Sequence, residues 1–329
     1  MIILNAAEVR QALPMHEVIQ AMKAAYAALS NGQAELPLRT HLPVPTHEAV
    51  ALFMPVFLND AHGESLAVKV VSLFPHNVTS GLPLIHAVVL VLEADTGKPY
   101  ALLEGSALTA IRTGAASGAA TELLARADSR VVAIFGAGVQ GRTQLEAVCT
   151  VRPIQTGWIF DSDRTQAEGF VREMAGRQPI PHDLRIAGSP AQAVVDADVI
   201  CTATTSTNPV FSDQDLKPGV HINAVGAYTP EMQEIPAETV RRARLVVDSR
   251  TACLSEAGDV IQPIQKGFFT EDHIQAELGE IVTAQLPGRT GEAQITLFKS
   301  VGVAVQDAAA ARLALQNAQK MGLGQTIAW

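Results

Sequence analysis

The apolar positions change their period twice along the chain. Over residues 14–30, Met15, Val18, Ile19, Met22, Tyr26 and Leu29 recur at helical spacing, and Asn31-Gly32 closes the run. Pro37, Pro43, Pro45 and Pro55 then punctuate a stretch in which only short edge strands are expected, because proline cannot donate to a ladder. Residues 65–74 and 84–93 are continuous strand-type runs, and Asp95-Thr96-Gly97 turns into a third at 99–103. Together they predict an antiparallel meander. Residues 106–126 return to a helix, crowded with alanine, glycine and serine. Two glycines in a helix, Gly114 and Gly118, need a reason, such as close packing or a nearby ligand.

From Arg130 onward, strand-type runs at 131–135, 157–160, 184–186, 199–202, 220–225 and 245–247 alternate with helical stretches. Such alternation predicts a parallel, doubly wound sheet. Ligands of these sheets bind at the carboxyl ends of the strands, which here fall at 136–140, Asp161, 202–206 and 225–228. After Asp248 the pattern loosens, with apolar stretches at 280–282 and 295–300 and a turn at 287–289. A last helix, 301–321, is closed by Gly322 and is expected to return to the first part of the chain.

The first strand of this alternation runs into Gly136, Gly138 and Gly141, spaced G-x-G-x-x-G. The first glycine permits the tight turn and the second admits backbone close to a pyrophosphate. The third lets the helix pack on the strand. The helix N-terminus then offers its N–H groups and dipole to phosphate. Asp161 ends the next strand, about twenty-five residues past Gly136, where a carboxylate accepts the adenosine ribose hydroxyls and disfavours a 2′-phosphate. With Ser162 behind it, Asp161 also reads as a turn-initiating residue, and Arg164 offers a partner for such a phosphate. NAD is favoured, with dual use left open.

Two charges stand on apolar elements. Lys69 sits in the middle of its strand, where it either faces solvent or has a buried task. Arg112 is the lone charge between Ser106 and Thr121, which implies a partner. Over 329 residues the chain is 48% hydrophobic and 17% charged with a net charge of −9, the balance of a globular protein. No basic block suggests nucleic acid, and no apolar run suggests a membrane span. Residues 1–10 show no secretory pattern. Cys149, Cys201 and Cys253 are far apart without a C-x-x-C pair. Buried thiols in a reducing cytoplasm are expected, and no metal site.

With these residues laid out, the chain resembles the ornithine cyclodeaminase/mu-crystallin family. The resemblance rests on Arg39-Thr40, Lys69, L-T-A-I-R-T around Arg112, G-A-G-V-Q-G, A-D-V-I-C-T-A-T-T at 197–205 and H-I-N-A-V-G-A at 221–227. E-A-G-D-V at 256–260, E-L-G-E at 277–280 and F-K-S-V-G at 298–302 extend it. It implies a homodimer in which a Rossmann-type doubly wound domain, 118–302, is inserted in a smaller α+β domain, 1–117 plus 303–329, that binds substrate and dimerises. It further implies that Arg39, Lys69 and Arg112 grip a substrate α-carboxylate beside a nicotinamide. Thr113, Val139, Gln140, Thr204, Val225, Lys299 and Ser300 would join the glycines as cofactor or active-site contacts.

One departure bears on activity. Ornithine cyclodeaminases carry an acidic residue just after the G-x pair at the end of the fifth strand, usually as G-G-D or G-A-D, and here Tyr228 takes that place. A neutral phenol cannot steady a substrate ammonium. The expected reaction is therefore NADH- or NADPH-dependent reduction of a cyclic imino acid, 1-pyrroline-2-carboxylate or 1-piperideine-2-carboxylate, to L-proline or L-pipecolate. Lys69, a bound water or Tyr228 would supply the proton, and His86 is expected to be a half-buried structural residue. Ornithine cyclodeamination requires a substitute carboxylate such as Glu256 or Asp259. A non-catalytic binder is the third reading.

Overall fold

The computed structural model describes residues 1–328, with Val78 by its backbone alone. The chain divides into two compact units, Met1–Arg112 with Val303–Trp329, and Thr113–Gly302. The division falls within the helix Gly105–Leu124, just after Arg112 rather than at the expected 117/118.

In the first unit, the meander is present as Gly63–Leu73, Ile85–Leu92 and Pro99–Glu104, all antiparallel. The expectation of only short edge strands in the proline-rich stretch is corrected. Ala49–Asp60 is a twelve-residue strand paired from Val50 to Asp60 with Gly63–Leu73. On its other flank Thr40–Val44 covers residues 49–53 and Ala34–Glu35 covers 57–58, so Pro55 lies opposite a gap between two short strands. Its missing N–H therefore costs no ladder bond on that side. Ile2–Leu4 and Gln325–Thr326 complete the sheet, joining the two ends of the chain.

The sheet's two faces differ in what they meet. The inner face carries Leu52, Met54, Val56 and Leu58, with Ala67, Lys69 and Val71 on the next strand. Over it lie the helices Met15–Ser30 and Ala304–Met321. The terminal helix is alanine-rich from Ala308 to Ala311 and buried around its circumference, since small side chains let it sit close to both neighbours. It returns to this unit as expected. The outer face is also apolar, in cross-strand rows Phe53–Val70–Val88, Pro55–Val68–Leu90 and Phe57–Leu66–Leu92, all partly exposed.

The second unit is an eight-stranded, wholly parallel sheet in the order Asp183–Ile186, Thr156–Phe160, Val131–Phe135, Val199–Thr202, His221–Ala224, Thr296–Lys299, Arg244–Val247, Ile274–Glu277. The doubly wound expectation holds. Two of these strands, Thr296–Lys299 and the edge strand Ile274–Glu277, are not read as strands from the sequence, each being four residues and too short to display a period. The sheet's central strands are buried from Val132 onward and across Val199–Thr202 and His221–Ala224, as parallel strands covered on both faces must be. Gly114 explains part of the small-residue helix, because a Cβ there would come within 2.5 Å of the Thr143 carbonyl oxygen on the next helix. Among the described residues no helix is long and apolar enough to cross a membrane, and the three cysteines are buried free thiols.

Candidate active site

The strand order of the parallel sheet reverses between Val131–Phe135 and Val199–Thr202, and ligands of such sheets bind at that switch. A cleft of about 440 Å³ opens there, walled by Gly136 and Gly138, by Asp161 and Ser162, and by 203–206. Each glycine of the loop has a distinct reason. Gly136 has φ of 95° and would press a Cβ to 2.6 Å from the Ala203 carbonyl oxygen, while a Cβ on Gly141 would collide with the Gly136 carbonyl. Gly138 has φ of −80°, and a Cβ there would meet nothing within 4 Å. Nothing in the fold demands that glycine, and the space beside its backbone is open.

The helix Val139–Val151 starts here without a side-chain cap, Val139 is 65% exposed, and the buried Gln140 Oε1 lacks a partner among the described residues. Arg142 turns back to the Ala137 and Gly138 carbonyls and pairs with Glu173 at 2.8 Å, stiffening the loop. Asp161 is the turn-initiating residue that one of its two readings expects. Its Oδ1 accepts from Asp163 N–H at 2.9 Å, starting a turn, and its Oδ2 accepts from Ala137 N–H at 2.7 Å, bracing the glycine loop. Ser162 is exposed at the rim, and Arg164 is paired along its own helix with Glu168 at 3.0 Å. The Thr113 carbonyl accepts from Gln144. These residues fit a dinucleotide: an open glycine, uncapped helix N–H groups and a carboxylate on the second strand.

The opposite wall is held from below by a residue that the sequence did not single out. Glu234, fully buried, accepts from Thr204 N–H (2.6 Å) and Oγ1 (2.8 Å), Thr202 Oγ1 (2.9 Å), Gly226 N–H (2.7 Å) and Ala227 N–H (3.1 Å). It thereby ties together the loops after two neighbouring strands. Burial and the nearby Asp259 push its carboxyl upward. Asp259 accepts from Glu234 and Ile235 N–H and pairs with Lys299 Nζ at 2.9 Å. Burial opposes the charge of Lys299, but Asp259 and Glu234 outweigh it and hold the lysine above its usual range. Asp248 likewise gathers Ser300 Oγ, Val301 N–H and Gly302 N–H.

Two expectations are corrected by this network. Lys299 and Ser300 are buried with internal partners rather than presented to a ligand. Asp259 is consumed by Lys299 and backbone, so it is no spare carboxylate. Glu256, buried at its helix end, is not engaged by this network. Val225 donates its N–H to the Thr202 carbonyl. Tyr228 follows, half-buried, and burial raises its phenol above the ordinary value, so it stays neutral.

The first unit holds the cations. Lys69 faces inward between Met54 and Val89 of the neighbouring strands, 2% exposed, so the solvent-facing reading is set aside. Asp307 of the terminal helix reaches both charges. Its Oδ2 lies 2.8 Å from Lys69 Nζ, off the angle of a good hydrogen bond, and its Oδ1 accepts from Arg112 Nε at 3.0 Å. Arg112 Nη1 donates to Gln306 Oε1 at 2.8 Å, and Gln306 Nε2 donates to the Tyr26 hydroxyl. Burial, reinforced by Arg112, pulls Lys69 down to about 7; Asp307 opposes this, and Arg39 adds a smaller push. Arg112 and Lys69 in turn hold Asp307 below the usual carboxylate range, against its burial. Arg39 is thus within electrostatic reach. His86 is exposed, correcting the half-buried expectation. Asp307 and Gln306 were missed, although Asp307 is the only charge between Lys299 and Arg312.

A Delta(1)-pyrroline-2-carboxylate reductase of Bacillus cereus is 38% identical over 329 residues, 99% of each chain. The structure of Thermococcus litoralis Delta(1)-pyrroline-2-carboxylate reductase in complex with NADH and L-proline superposes with a TM-score of 0.95 at 43% identity, covering 99% of this chain and 100% of the other. An archaeal alanine dehydrogenase dimer with bound NAD follows at 0.92 and 30%, covering 100% and 99%. The sequence profile of the ornithine cyclodeaminase/mu-crystallin family matches residues 1–322, and the chain belongs to that family.

Proposed function

We propose that this protein reduces a small cyclic imino acid, 1-pyrroline-2-carboxylate or 1-piperideine-2-carboxylate, to L-proline or L-pipecolate with NADH or NADPH. The observation that carries this reading is the buried pair Lys69 and Arg112, which share a single carboxylate, Asp307. Two buried cations on one anion leave a positive charge that a substrate α-carboxylate balances, with Arg39 adding to it. The likeness to a protein whose complex holds NADH and L-proline supports the same choice.

Lys69 and Arg112 bind and orient the carboxylate, which fixes the attached C=N group. NAD(P)H, when bound, supplies the hydride. The glycine loop and the first turn of Val139–Val151 hold its phosphates, and Asp161 holds the ribose. NADH is preferred, since Asp161 repels a 2′-phosphate while Arg164 is engaged by Glu168. The imine nitrogen takes its proton from Lys69, a bound water or Tyr228. Lys69 is the group whose midpoint near 7 lets it both give and regain a proton at neutral pH.

A homodimer through the apolar outer face of the antiparallel sheet accompanies this function, as does residence in the cytoplasm, in keeping with three free thiols. A Val68→Lys chain that still sediments as a dimer would sink the first of these. The main test is a steady-state screen of cyclic imines with NADH and NADPH, alongside ornithine. Cofactor oxidation with an imine and no ammonia from ornithine is expected. Ammonia release from ornithine without net cofactor consumption would overturn it.

A further inference from the structure

We propose that Asp307 is a positioning residue that holds Lys69 and Arg112 side by side as one carboxylate-binding fork and keeps Lys69 protonated. The proposal rests on the imino-acid reductase reading given above. Two buried cations repel each other and each loses its hydration, so without a shared anion the pair is unstable as a charged unit. Asp307 assigns one oxygen to each, at 2.8 Å from Lys69 Nζ and 3.0 Å from Arg112 Nε, and is itself 1% exposed. It lies in the first turn of the helix Ala304–Met321, where the helix dipole favours its ionised form.

The neighbouring residue completes the fixture. Gln306 Oε1 accepts from Arg112 Nη1 and from Val303 N–H at 2.9 Å, while its amide donates to Tyr26 at 2.8 Å. The guanidinium is thereby held on its Nε and Nη1 edge. Among the described residues, Arg112 Nη2 has no hydrogen-bond partner, and Lys69 Nζ meets only Asp307. The unused donors are a ready fit for the two oxygens of a substrate carboxylate.

The groups facing Lys69 can be named from each element around it. Arg112 comes from Gly105–Leu124, Asp307 from Ala304–Met321 and Arg39 from the segment before Thr40–Val44. The adjacent strand positions are the uncharged Met54 and Val89. Asp307 is the only anion in this set. Its removal leaves Lys69 beside two arginines and favours loss of the lysine proton, which is burial's own direction.

The test compares wild type with Asp307→Asn from pH 5.5 to 9. It measures kcat/KM with the cyclic imine, binding of pyrrole-2-carboxylate by calorimetry, and NADH affinity by fluorescence. In wild type, probe binding is expected to fall about tenfold per pH unit above the Lys69 midpoint. In Asp307→Asn that limb should move at least about one pH unit lower, with activity recovering on acidification and NADH affinity unchanged. A limb that stays in place while activity drops uniformly overturns the proposal. Wild type that binds no pyrrole-2-carboxylate at any pH overturns the reductase reading instead. Should Asp307→Asn fail to fold, Lys69→Arg decides. An arginine cannot lose its proton, so the alkaline limb must vanish, and its persistence refutes the role given to Lys69.

Discussion

Lys299 Nζ lies 2.9 Å from Asp259 Oδ2 in a region sealed from solvent. Asp259 passes that fixed charge to the backbone of Glu234, whose carboxylate binds the loops carrying Thr204 and Gly226. Breaking one partner of a buried pair leaves the other uncompensated, at a cost of about 3–5 kcal/mol. Lys299→Met and Asp259→Asn are each expected to destabilise the fold by about that much, while the double variant loses less than the sum. Denaturant titrations of the four proteins measure the coupling; strict additivity would contradict the pair.

The glycine loop separates folding from binding. Gly138→Ala places its methyl in open space, so the melting temperature should stay within about 2 °C while NADH binding weakens tenfold or more, about 1.4 kcal/mol. Gly141→Ala drives its methyl into the Gly136 carbonyl and should lower stability itself. Thermal melts beside NADH fluorescence titrations distinguish the two. Unchanged NADH affinity in Gly138→Ala would remove the cleft from consideration.

Arg112 works through its planar fork, with Nε on Asp307 and Nη1 on Gln306. Arg112→Lys keeps the charge but cannot make both contacts at once, so kcat/KM for the imine should fall about 100-fold, the effect of losing a charge-assisted hydrogen bond of about 3 kcal/mol. NADH affinity should remain. Equal loss of cofactor binding would show a general disruption instead.

Lys69 gives stability and substrate binding opposite pH trends. Its folded pKa, about 7, lies below the unfolded 10.5, so between these values the unfolded chain holds more protons. The cost of burying a charged Lys69 is present below about 7 and relieved as pH rises toward 10.5, so its contribution to stability increases with pH. Substrate carboxylate binding, which uses the protonated form, declines over the same window. The difference in unfolding free energy between wild type and Lys69→Met, followed from pH 6 to 10, should show the first trend. A difference that is flat with pH would place Lys69 outside this titration.

Much of this was legible in local pattern. The parallel sheet announced itself in alternating apolar runs, the candidate nucleotide loop in three glycines after a buried strand, and Arg112 in its isolation on a helix of small residues. The strand through Pro55 was not legible, because proline's cost depends on what lies opposite. Here the neighbouring ladder is interrupted at that place.

By itself the sequence determined the two architectures and the family, and it marked the cations and glycines of the candidate site, because periodicity and motif spacing are local properties of the chain. Only the tertiary structure decided how those charges are balanced. Asp307 lies 195 residues from Arg112, and Glu234 gathers donors from strands far from it in sequence. A buried charge is made tolerable by the partner it meets in space, and no local spacing records which partner that will be.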